Sequence, residues 1–108
     1  MSPFDPYVAF FAANIAIAHV AARRFEQAIE WADRALHDQP RLVTAMRVKV
    51  AALANLGRLD EAHSELSRVL AIDPELTIAG FRKVVHFAAP EVLELYVTGL
   101  RLAGLAEG

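Results

Sequence analysis

Apolar residues recur along this chain at spacings of three and four, the period of a helix facing a core. From Phe25 to Asp38, the positions Phe25, Ala28, Ile29, Ala32, Ala35 and Leu36 form one face, with Glu26, Glu30, Asp33, Arg34 and His37 opposite. From Leu59 to Ile72, the positions Leu59, Ala62, Leu66, Val69 and Leu70 repeat the pattern. Leu42 to Leu56 is predicted as the helix between them. Leu76, Ile78, Phe81, Val84 and Val85 predict a further helix, broken near His86, Phe87, Ala88 and Ala89. A last amphipathic helix carries Val92, Leu93, Tyr96, Val97, Leu100 and Ala103 and ends at Gly104. Pro90 suits its first turn and Glu91 its positive end. Tyr7 to Ala22 differs from all of these. It holds no Asp, Glu, Lys or Arg, so its helix is apolar on every side, which is the pattern of an interior helix. No segment sustains a two-residue alternation, so no sheet is expected.

The helices come in a repeat. Pro6, Pro40 and Pro74 lie 34 residues apart, and other residues keep that phase: Ala28 with Ala62, Phe25 with Leu59, Leu36 with Leu70, Asp5 with Asp73. Each element of the repeat has a physical role. A small residue at Ala28 and Ala62 lets paired helices approach closely. Phe25 and Leu59 anchor the turn into the second helix of each pair. Gly57 can adopt the left-handed conformation that ends a helix, and Arg23 takes that slot in the first repeat. Each proline stops the outgoing helix, since it lacks the amide proton and clashes with the preceding turn. The expected fold class is therefore all-α: about six helices in antiparallel hairpins stacked as a short solenoid.

This period and these residues resemble the tetratricopeptide-repeat family across residues 7 to 74. The first helices match less well, with Ala12 and Met46 where a large aromatic is usual and Lys49 where a leucine is usual. On this resemblance, residues 1–6 are the tail of a missing preceding repeat, 7–40 and 41–74 are two regular repeats, and 75–108 is a degenerate capping helix pair. Asp5-Pro6-Tyr7, Ala18 to Ala28, Gly57 to Ala62, Leu76 to Ala79 and Gly99 to Leu105 resemble one bacterial group more closely. That group is the C-terminal repeat region of class III adenylate or guanylate cyclase-like proteins and related winged-helix regulators. The resemblance implies that catalysis or DNA binding lies upstream of such a segment.

Composition narrows the function. The hydrophobic fraction of 56% is high for 108 residues, so part of the surplus is expected to meet a partner. The net charge of −2 and isolated Arg23-Arg24 and Arg82-Lys83 pairs argue against nucleic acid. The absence of cysteine removes disulfides and thiolate metal sites and fits a cytoplasmic protein. The apolar run from Val8 to Ala22 falls short of the roughly 20 residues a membrane span requires. No phosphate-loop, dinucleotide, nucleophile-elbow or HExxH motif occurs, and His19, His37, His63 and His86 fall on separate elements. The carboxylates Glu26 with Glu30, and Glu61 with Glu65, read as solvated helix faces. No catalytic residue, metal site or cofactor is expected.

Two surfaces remain as candidates. The resemblance implies a concave groove lined by the first helices: Phe10, Ala13, Asn14, Ile17 and Val20, then Thr44, Arg47, Val48, Ala51 and Asn55, with Phe81 and Arg82 from the capping helix. Ala13 and Ile17 replace the Lys and Asn with which some members clamp a peptide carboxylate, so this groove is expected to be mostly apolar. The second surface follows from the uncharged first helix, where Tyr7, Phe10 and Phe11 are expected to form an exposed patch relieved by self-association. The expected function is a non-catalytic interaction and assembly module, binding a peptide or an upstream domain of the same protein and forming a homodimer through the first helix. The alternative is a ligand-sensing domain with a small apolar molecule in the groove.

Overall fold

Six α-helices run through residues 6–85 and 89–108, the residues that the computed structural model describes: α1 Pro6–Ala21, α2 Phe25–Asp38, α3 Val43–Asn55, α4 Leu59–Ile72, α5 Ile78–Val84 and α6 Pro90–Ala103. Among the described residues there is no strand. Of the tail of a preceding repeat expected at 1–6, only Pro6 is described, and it opens α1; the rest of it, and most of the break expected at 86–89, lie outside the described residues.

Alanines set the spacing of the stack. Ala28, Ala32 and Ala35 are the buried stripe of α2, fully covered. They let α2 lie close against α1 on one side and α3 on the other. A second buried group, Ala9, Ala12, Ala13, Ala35 and Ala45, seals the junction of these three helices beside Trp31, Leu36 and Leu42. α3 is the central helix, with Met46, Val48, Val50 and the run Ala51 to Ala54 buried. It packs on α2, α4 and α6. Full burial of a side chain such as Leu53 or Met46 contributes about 1.5–3 kcal/mol. Lys49 interrupts this helix without harm, because its Nζ lies 2.7 Å from Asp33 Oδ1 of α2 and 4.0 Å from Glu65 Oε1 of α4. Glu65, expected on a solvated face, is in fact 4% exposed and also takes Arg68 Nη1 at 3.1 Å. The charges of Lys49 and Arg68 are what allow a carboxylate there, since a buried charge is costly unless paired.

Helices α1, α3 and α6 end alike. The amide of Arg24 donates to His19 O and that of Arg23 to Val20 O; Arg58 and Gly57 repeat this with Leu53 O and Ala54 O, and Leu105 and Gly104 with Leu100 O and Arg101 O. The residue that turns the chain is left-handed each time, at φ 60° for Arg23, 82° for Gly57 and 109° for Gly104. A Cβ on Gly57 would meet nothing within 4 Å, so its requirement is purely conformational. Gly57→Ala is therefore expected to cost about 1 kcal/mol, and Arg23→Gly to gain about 0.5 kcal/mol, once the added freedom of the unfolded chain is deducted. Urea unfolding of the two variants checks this. Shifts of the same sign would disprove the shared role.

The last pair departs from the regular hairpins. α5 has only seven residues and α6 touches it lightly. Instead α6 turns back onto α3 and reaches α4 and α1. The chain end then returns over α5, where Ala106 O and Glu107 O accept from the amides of Ile78 and Ala79, both at 2.9 Å. With Thr77 Oγ1 accepting from Gly80 N at 3.0 Å, three of the open amides at this helix start are satisfied.

Candidate functional site, an apolar cavity on the inner face

α1, α3, α5 and α6 converge on a cavity of about 410 Å³. Helical spacing brings Asn14 and Ile17 to it from α1, and Thr44, Arg47 and Val48 from α3. Phe81, Val84 and Val85 close it from α5 and its end, and Tyr96 from α6. Phe81 and Tyr96 lie ring against ring, with centroids 6.2 Å apart and planes at 28°. The Arg47 guanidinium sits 5.5 Å from the centre of the Phe81 ring. Burial lowers the Arg47 pKa, and the charge of Asp73, then that of Tyr96, opposes the shift. Burial pushes the Tyr96 hydroxyl well above its usual range, with Arg47 pulling weakly the other way.

The groove residues expected from the sequence are divided by this geometry. Asn14, Ile17, Thr44, Arg47, Val48 and Phe81 meet at the cavity. Phe10, Ala13 and Asn14 border a narrow cleft beside it with Leu42 and Thr44, and Ala13 is itself buried. Val20 is fully buried. Ala51 is covered by α6, because Gly99 comes so close that a Cβ on it would stand 2.7 Å from Ala51 Cα. Asn55 Nδ2 donates to Ala51 O at 2.8 Å and Leu95 O at 3.2 Å, so this amide ties α3 to α6. Arg82 faces outward and pairs with Glu94 at 2.7 Å. Val84, Val85 and Tyr96 were missed by sequence reasoning. Tyr96 belongs to the apolar stripe of α6, but no local pattern states which helix that stripe meets.

α1 exposes Tyr7, Phe10 and Phe11 by 68%, 60% and 58% and Ile15 by 37%, with Phe10 at the edge that borders the cleft beside the cavity. One repeat later, Phe11 corresponds to Ala45 and Ile15 to Lys49. Those two residues are where α3 meets α2: Ala45 is buried with Ala35, and Lys49 pairs with Asp33. Phe11 and Ile15 thus hold the helix face that this stack uses to receive a neighbouring hairpin.

The histidines are spread apart. His19 Nδ1 accepts from Arg24 Nε at 3.1 Å, His63 Nδ1 lies 3.1 Å from Ala103 O, and His37 is exposed; His86 lies outside the described residues. Among the described residues, no three metal-ligating side chains cluster, and no helix is long and apolar enough to cross a membrane.

The fold defines the class of this chain as an all-α stack of antiparallel helical hairpins closed by a returning C-terminal helix. No family model, curated protein or solved structure matches it.

Proposed function

We propose that this chain is a non-catalytic protein–protein interaction and assembly module working in the cytoplasm. In this reading it is a tetratricopeptide-repeat segment from the regulatory end of a larger bacterial protein of the adenylate cyclase-like group. The 34-residue phase and the two close hairpins, α1 with α2 and α3 with α4, support the repeat. The cyclase-like setting rests on the sequence resemblance, and fold alone does not assign function.

One observation carries the assembly reading: the exposed apolar face of Tyr7, Phe10, Phe11 and Ile15. Its occupant is a second copy of the chain, because the same patch on both partners closes a two-fold dimer. Three aromatics at this exposure offer about 120 Å² each, or about 400–500 Å² per copy with Ile15. Two copies then bury about 800–1,000 Å², the lower edge of specific interfaces, so the dimer is weak and concentration-dependent. Light scattering across a concentration series is expected to rise toward twice the chain mass. Phe10→Glu/Phe11→Glu should hold at one chain mass throughout. A wild-type monomer at every concentration overturns the proposal.

The cavity favours a second reading, a sensing domain that takes a small molecule. Its size lies within the range of small-ligand pockets.

A further inference from the structure

We propose that the cavity at Arg47 binds a small amphipathic anion, a carboxylate on a short apolar body. The proposal takes its location from the sensing reading and changes the expected ligand from an apolar molecule to a charged one.

Lys49, Arg58, Arg68, Arg82 and Arg101 each stand within 4.0 Å of a carboxylate. Among the described residues, Arg47 has no carboxylate within that distance and donates no hydrogen bond. Its one close partner is the face of Phe81. Yet Arg47 is partly buried, and burial weakens its hold on the proton. The Asp73 charge acts on Arg47 only from beyond 4.0 Å. A partly desolvated cation with no carboxylate in contact is an unfavourable arrangement, and a bidentate carboxylate is the group that relieves it best. The attraction is stronger there than in bulk water because the surroundings are less polarisable.

The lining matches such a ligand at both ends. Thr44 and Asn14 stand with Arg47 as hydrogen-bonding groups for a head. Ile17, Phe81 and Val84 offer apolar surface for a body.

The occupant is a free small molecule rather than an extended peptide. Beyond Arg47 the inner face of α3 is closed: Gly99 presses on Ala51, and Asn55 is bonded to Leu95 O. On that side the groove stops at the cavity, and on the other only the narrow cleft of Phe10, Ala13 and Leu42 adjoins it.

The test is a ¹H–¹⁵N NMR titration of the full chain with hexanoate and, separately, with hexan-1-ol. Hexanoate is expected to shift the Arg47 Nε–H and Thr44 signals saturably and to bind about tenfold more tightly than the alcohol. Arg47→Met should bring hexanoate down to the level of the alcohol. Val84→Glu is the second variant: Val84 is 69% exposed, so the fold tolerates it, while its charge at the cavity should repel hexanoate. Equal binding of both probes, unmoved by either variant, would overturn the anion site and leave an apolar sensing pocket standing. No shift in the cavity with either probe would overturn both. An acetylated pentapeptide with a free C-terminus serves as the third titrant. If it bound more tightly than hexanoate and shifted signals along α1 and α3, the site would be a peptide groove and the small-molecule assignment would fall.

Discussion

Gly99→Val is expected to lower stability by about 3 kcal/mol, with a fall in melting midpoint of roughly 10–20 °C. Gly99 lies mid-helix in α6, where a glycine costs about 0.5–1 kcal/mol relative to alanine. On propensity alone, replacing it should help. The neighbouring chain decides otherwise. An added Cβ would sit 2.7 Å from Ala51 Cα, 2.9 Å from Ala51 O and 3.1 Å from Asn55 Nδ2. The first two are backbone atoms in the middle of α3 and cannot swing aside. Relief requires α6 to lift from α3, which breaks the Asn55 bond to Leu95 O and uncovers Val97 and Leu100, both fully buried. For a domain whose total stability is about 5–15 kcal/mol, that loss is a large fraction. Thermal unfolding followed by circular dichroism measures it. A Gly99→Val variant as stable as the wild type would mean that α6 does not press on α3 as described.

Phe81→Ala is expected to cost about 3–4 kcal/mol, within the range for truncating a buried aromatic. Phe81 is 1% exposed and holds two neighbours, the Tyr96 ring and the Arg47 guanidinium. α5 has few other ties: its seven residues bury only Ile78 besides, and its start is held by the returning chain end. Much of the loss should therefore appear as local release of α5. Native-state hydrogen exchange should show the amides of Ile78 and Ala79 exchanging far faster, while those of α2 and α3 change much less. Phe81→Leu, which keeps most of the volume, should cost under about 1.5 kcal/mol. Equal effects of the two substitutions would mean that Phe81 fills no space that matters.

Local patterns carried much of this fold because helices announce themselves locally. The apolar stripes of α2 and α4, the breaks before Pro40 and Pro74, and the left-handed turns at Arg23 and Gly57 all depend on residues within a few positions of each other. The 34-residue phase then matched the pairing of α1 with α2 and of α3 with α4, though not the course of α6. The uncharged first helix also showed in the sequence that Tyr7, Phe10 and Phe11 lacked an obvious cover, and they are exposed.

Long-range contacts decided the rest. Glu65 reads as a surface carboxylate because, although its nearest partner Arg68 lies on α4 itself, the packing that buries it and the Lys49 ammonium of α3 at 4.0 Å cannot be seen from α4 alone. Lys49 reads as a flaw in a core helix until Asp33 stands beside it. The course of α6 was hidden for the same reason: its stripe fits many surfaces, and the absence of a Cβ at Gly99 selects α3 only when the two backbones meet. That one approach closed the far end of the inner groove over Ala51 and Asn55, and it left Arg47 at the rim of a short cavity. Sequence by itself determined the helices, the pairing of the first four and the exposed apolar residues of α1, because these follow from spacing along the chain. Tertiary structure alone decided which inner residues stay open to a ligand, because burial depends on what a distant segment lays over them.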